Sequence, residues 1–67
     1  MDPWLSELLA LYLDDGNWER RRRQIITHRW PDAAVRAAEQ DARLGRTEAL
    51  ALYDAEVEAI KAAIPKL

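Results

Sequence analysis

Cysteine is missing from this chain, and histidine occurs once, at His28. The first absence excludes disulfide staples and thiolate metal sites. The second leaves metal binding only to a cluster in which carboxylates supply the other ligands, and no such cluster is evident, so neither a metal nor another cofactor is expected. Phenylalanine is absent too, and the chain holds only two glycines and three prolines. β-Branched residues are few, and no stretch alternates apolar and polar residues as a half-buried strand would. Long apolar runs are missing as well. The longest, from Trp4 to Leu13, is interrupted by Ser6 and Glu7, whereas a membrane span needs ~20 apolar residues. No membrane partner is expected. Met1-Asp2-Pro3-Trp4 has no basic region and no small-residue cleavage site, so it is not read as a signal peptide. With no cysteine to oxidise, a cytoplasmic location is expected.

What remains is a helix-forming composition of Ala, Leu, Glu and Arg. The 67 residues allow a single domain, 1–67. A domain of this size buries only roughly 60% of the surface its unfolded chain exposes, and such scaffolds usually need a staple. With disulfides and metals removed, self-association is the staple expected. The predicted fold is therefore all-α, a small bundle of three to four helices completed by association with a second copy.

Start and stop signals divide the chain. Asp2-Pro3 is a cap followed by a first-turn proline, which starts helix 1. Asp14-Asp15-Gly16-Asn17 ends it and caps helix 2, predicted over about 18–28. Proline disfavours helix in the residue before it, so Trp30-Pro31 breaks the chain. Pro31 then opens helix 3, which runs to about Leu44 and meets Gly45 as a C-terminal cap. Thr47-Glu48 starts helix 4, predicted over about 48–63. Because one interior glycine costs only ~1 kcal/mol, helices 3 and 4 also read as one kinked helix.

The faces differ. On helix 1, Trp4, Leu5, Leu8, Leu9, Leu11, Tyr12 and Leu13 cover an arc of ~200°, about twice the stripe of an ordinary surface helix. This predicts cover on two sides. On helix 4, Leu50, Tyr53, Val57, Ile60 and Ile64 repeat at spacings of three and four, a narrow seam. Helix 3 offers mainly Ala34, Ala38 and Ala42. The simplest packing sets helix 1 against helix 4, with helices 2 and 3 closing the bundle. The oligomer interface predicted from this comprises Trp4, Leu5, Leu8, Leu9 and Tyr12 of helix 1 with Leu50, Tyr53, Val57, Ile60 and Ile64 of helix 4.

Charge is segregated. Residues 1–17 hold four acids and no Lys or Arg, whereas residues 18–30 hold five arginines against Glu19. Four of those arginines, Arg20 to Arg23, are consecutive in the first turns of helix 2, where the helix dipole disfavours cations. Something anionic must compensate them. Internal candidates are Glu7, Asp14, Asp15 and Glu19; external ones are an acidic protein or nucleic-acid phosphate. Arg22 and Arg29 fall within the apolar stripe of Trp18, Ile25 and Ile26 and are read as structural. Arg20 and Arg23 point away from it and are predicted to bind a partner, together with Trp30 at the turn. Trp4 and Trp18 are read as core. Glu56 and Glu58 are read as a solvated face.

Catalytic motifs are not apparent. His28 and Asp32 form no dyad with a third group. A calcium loop counted from Asp14 places Ile25 where a glutamate is needed. The segment 18–44 has the order of a helix-turn-helix, but its second helix carries both charge signs and no basic face. The chain is accordingly expected to be no enzyme, but a small regulatory or docking module that binds protein, itself or another. A nucleic-acid-associated regulator using the arginine cluster is the alternative, disfavoured by a sequence pI near 5.3.

Overall fold

A computed structural model describes residues 2–13 and 16–66. Among these residues the chain is wholly helical, without strands: α1 is Pro3–Leu11, α2 Trp18–Arg29, α3 Asp32–Arg43 and α4 Glu48–Ala63. No helix among the described residues is long and apolar enough to cross a membrane.

The helix ends follow from local chemistry. Pro3 occupies the first turn of α1, where a missing N–H is harmless; the Asp2 side chain makes no cap bond, but its carbonyl accepts from Leu5 and Ser6 N–H. α1 stops at Leu11, with Tyr12 in extended backbone as its cap. Leu13 therefore leaves the helix and lies 66% exposed, and Leu11 is 63% exposed. Among the described residues, nothing gives helix 1 the two-sided cover predicted for it at Leu11 and Leu13. Asn17 caps α2 through its side chain, which accepts from Arg20 N–H at 3.0 Å. Pro31 precedes α3, and its carbonyl accepts from Ala34 and Val35.

Helices α3 and α4 are separate. Gly45 has φ +85°, its N–H donates to Ala42 O at 3.1 Å, and Arg46 N–H donates to Asp41 O at 2.8 Å. This pair of bonds is the Schellman stop, and its left-handed position needs glycine.

Contacts along α2 set the topology. Its N-terminal arginines meet the last turns of α1 and α4, while Arg29 at its other end meets Trp4 and Glu56. Both α1 and α4 thus run antiparallel to α2. Their meeting is the core: Leu5, Leu8, Ile25, Ile60 and Ile64, with Trp4, Leu9, Tyr12, Trp18, Ile26, Ala59 and Ala63 packed around it. The third layer is different from the predicted closure. α3 folds back along α4 and lies beside it over more of its length than α2 does, with Ala38 buried outside the main cluster. Small side chains permit that approach and bury little.

The result is elongated, with extents of 40 × 21 × 20 Å and a radius of gyration of 12.8 Å. A compact domain of this length has about 11 Å. The accessible surface, 4822 Å², likewise exceeds the about 4,300 Å² of a compact chain of this mass.

Candidate functional site: the outer face of α2

The arginine cluster separates into two groups. Arg21 Nε donates to Tyr12 O at 2.7 Å and its terminal nitrogen to Leu9 O at 2.9 Å. Arg22 Nε donates to Ile64 O at 2.7 Å and its terminal nitrogen to Lys61 O at 3.1 Å. Each guanidinium fork closes the C-terminal turn of another helix, where carbonyls lack partners and the dipole is negative. Backbone carbonyls are thus partners of both cations, a kind of acceptor that the sequence reading did not name. Asp14 and Asp15, two of the carboxylates named from sequence, lie outside the described residues.

Arg29 is bound by a carboxylate. Its Nε and terminal nitrogen donate to the two oxygens of Glu56 at 2.8 and 3.1 Å, and Trp30 Nε1 donates to Glu56 Oε1 at 2.8 Å. Glu56 is only 8% exposed, which corrects its reading as a solvated residue. The hydrogen bond from Arg29 holds its carboxyl below the usual range, against the opposing effect of burial; the Trp30 bond and the Arg29 charge add to the lowering. The same hydrogen bond raises Arg29. A signal existed in the sequence: Tyr53, Glu56 and Ile60 keep the seam spacing of α4, as Trp18, Arg22, Ile25 and Arg29 keep that of α2. One charge embedded in each stripe calls for the other.

Trp4 and Trp18 are half-buried rather than core. The Arg29 guanidinium lies 4.5 Å from the Trp4 ring centre, and Arg22 lies 4.8 Å from that of Trp18. Each indole lies between the apolar cluster and a cation.

The second arginine group lies on the opposite face. Arg20, Arg23, Gln24, Thr27 and His28 recur at spacings of three and four, are all exposed, and with Tyr12 line an open groove of about 390 Å³. Tyr12 hydroxyl and His28 Nδ1 are 2.9 Å apart, their rings edge to face at 5.7 Å; the tautomer decides which group donates. The groove is anchored because Arg21 fixes the Tyr12 backbone from behind. Its lining is largely apolar. Chemically, it can hold anions against two guanidinium groups beside an apolar floor.

Of the partner residues named from sequence, Arg20 and Arg23 are brought together, while Trp30 stands at the far end of α2, edge to face with Tyr53 at 5.4 Å. Gln24, Thr27 and His28 were not named, although continuing the Arg20–Arg23 arc by one turn reaches them. Of the interface residues, Leu5, Leu8, Ile60 and Ile64 are buried in the chain's own core, and Trp4, Leu9, Tyr12, Leu50, Tyr53 and Val57 are half-buried. A second hollow of about 280 Å³, lined by Trp4, Glu7, Leu8, His28 and Arg29, lies on the other side of His28. Among the described residues no group of three His, Asp or Glu is placed to hold a metal ion. Compared with known families, with curated proteins and with solved structures, the chain matches none.

Proposed function

We propose that this protein is a small non-catalytic protein-interaction module whose working surface is the outer face of α2. One observation supports the reading above others: the exposed Arg20 and Arg23 line an open, largely apolar groove on the side of α2 away from Arg22 and Arg29, which bind Ile64 O and Glu56. Such a surface suits a partner that presents carboxylates next to an apolar side chain. The elongated shape agrees, since a small core and long exposed flanks gain stability from any partner that binds the folded state. Nucleic acid is the second reading, favoured by the two guanidinium groups alone. Its binders usually carry a wider basic field, and this chain has a net charge of −2.

The test is a titration of isotope-labelled protein with a short helical peptide carrying glutamates around a leucine, followed by amide shifts, and in parallel with duplex and single-stranded DNA and RNA at low salt. Peptide-induced shifts confined to residues 20–28 and Tyr12, lost in the Arg20→Glu/Arg23→Glu variant, are expected. Shifts from nucleic acid alone, falling steeply with salt as counterion release requires, support the second reading. If neither probe moves these amides, the α2 face is not a docking surface.

A further inference from the structure

The outer face of α4 carries the complement of this groove. Glu48, Ala51, Leu52, Ala55 and Glu58 recur at spacings of three and four, and every one is exposed; Leu52 is 52% exposed. The stripe is a carboxylate, a leucine flanked by alanines, and a second carboxylate. It extends ~15 Å along the helix, against ~12 Å for the stripe from Arg20 to His28 on α2. Alanines let another helix approach closely, so the leucine can reach a groove floor while the acids meet cations at its rim. Glu58 has one neighbour of opposite sign, Lys61, at 4.0 Å, an exposed pair that adds little stability.

We infer that the occupant of the α2 groove is a second copy of this chain: the α4 face of one copy, with Leu52 on the Tyr12–Thr27 floor and Glu48 and Glu58 toward the arginine side chains, docks on the α2 face of the next. The inference rests on the reading of α2 as a docking surface and names its partner. Sign complementarity carries it, because the chain's charge is divided into a basic helix and acidic flanks. Size supports it too. A core with two fully buried large side chains, Ile25 and Ile60, leaves a small domain without the usual staples short of stability. The giving and receiving surfaces differ, so the contact is heterologous. Two short helix faces make a small interface, and the association is accordingly weak.

The experiment is solution mass by light scattering or sedimentation from about 10 µM to about 1 mM protein, a range that reads weak association, at low and high salt. The 7.7 kDa chain is expected to show a rising mean mass that falls back in salt. Arg20→Glu/Arg23→Glu and Glu48→Lys/Glu58→Lys should each weaken association by at least about tenfold, as like charges then face each other. Mixing the two variants should restore it, because the acidic α2 of one meets the basic α4 of the other. Circular dichroism establishes that the variants fold, and Leu52→Ala serves as an uncharged third variant, also expected to weaken association. A chain that stays monomeric throughout, or variants that associate unchanged, or a mixture that does not recover, overturns the inference. The acidic peptide titration is independent of it. If the peptide binds the α2 groove while the chain stays monomeric, docking stands and the second copy is the wrong occupant.

Discussion

Glu56 shows how much one side chain can connect. It receives bonds from Arg29 and Trp30, and through Arg29 it ties the Trp4 ring of α1 to α4. Removing one partner of a buried pair leaves the other charge uncompensated. Arg29 is 38% exposed in its side chain, so water screens part of that penalty. Glu56→Gln is expected to destabilise by ~1–2 kcal/mol near neutral pH, seen as a lower denaturant midpoint. The pH dependence follows from the direction of the shift. The carboxyl is lowered on folding, so the unfolded chain binds the proton first as acid is added. The stabilisation is complete above the unfolded glutamate value, ~4.3, and is lost as pH falls through the lower folded value. Arg29 is raised; its contribution is present below its unfolded value and lost only as pH rises through the folded one, in strong alkali. The variant's loss should therefore shrink as pH is taken below ~4. A difference from the parent that is constant down to pH ~2 would mean that the carboxylate charge is not what matters.

At the scale of elements, the arginine forks on helix ends are the device that composition conceals. The helices themselves were legible. Asn17 before Trp18, Pro31 before Asp32, and Gly45 after Leu44 mark boundaries that the structure keeps, because each acts through its own backbone or side chain within a few residues. The carbonyl partners of Arg21 and Arg22 were not legible, because a helix-end carbonyl has no letter in the sequence; it becomes an acceptor only when the chain brings that end to the arginine. The same limit explains the α2 groove. Its cations could be named from one helix, but Tyr12 joins them from 16 residues away from His28. It also explains α3, whose alanines fit a close hairpin with α4 as well as a closing layer. Arg22 offers the test. Lysine keeps the charge but has a single rotatable ammonium in place of the planar fork, so it cannot serve Ile64 O and Lys61 O in that geometry while lying over Trp18. Arg22→Lys should lower stability by ~1–2 kcal/mol, or roughly 5–10 °C in melting temperature for a domain this small. Arg23→Lys, on the outer face, should change it by less than ~0.5 kcal/mol. Equal effects at the two positions would remove the capping role.

For the whole molecule, the uneven placement of the core has a consequence for motion. The buried cluster joins α1, α2 and the C-terminal half of α4, and both arginine forks and the Glu56 network reinforce that same end. The hairpin of α3 with the first turns of α4 extends from it, with Ala38 buried, Val35, Leu50 and Tyr53 half-buried, and the Gly45 stop closing it. Stability in a protein is not uniform, and segments with few buried apolar contacts open at lower free energy than the core. Backbone amides of α3 are therefore expected to exchange with solvent at least about tenfold faster than those of Ile25, Ile26 and Ile60, through an opening that leaves the cluster intact. Hydrogen exchange followed by NMR reads this directly. Ala38→Leu sharpens the test, because Ala38 is 2% exposed and added methyl groups in a close helix contact cost ~1–3 kcal/mol. If the opening is separate, that substitution accelerates exchange in α3 and the first turns of α4 while protection at Ile25 and Ile60 holds. If protection falls together across all four helices, the molecule opens as one unit, and the hairpin is as firmly part of the core as α2.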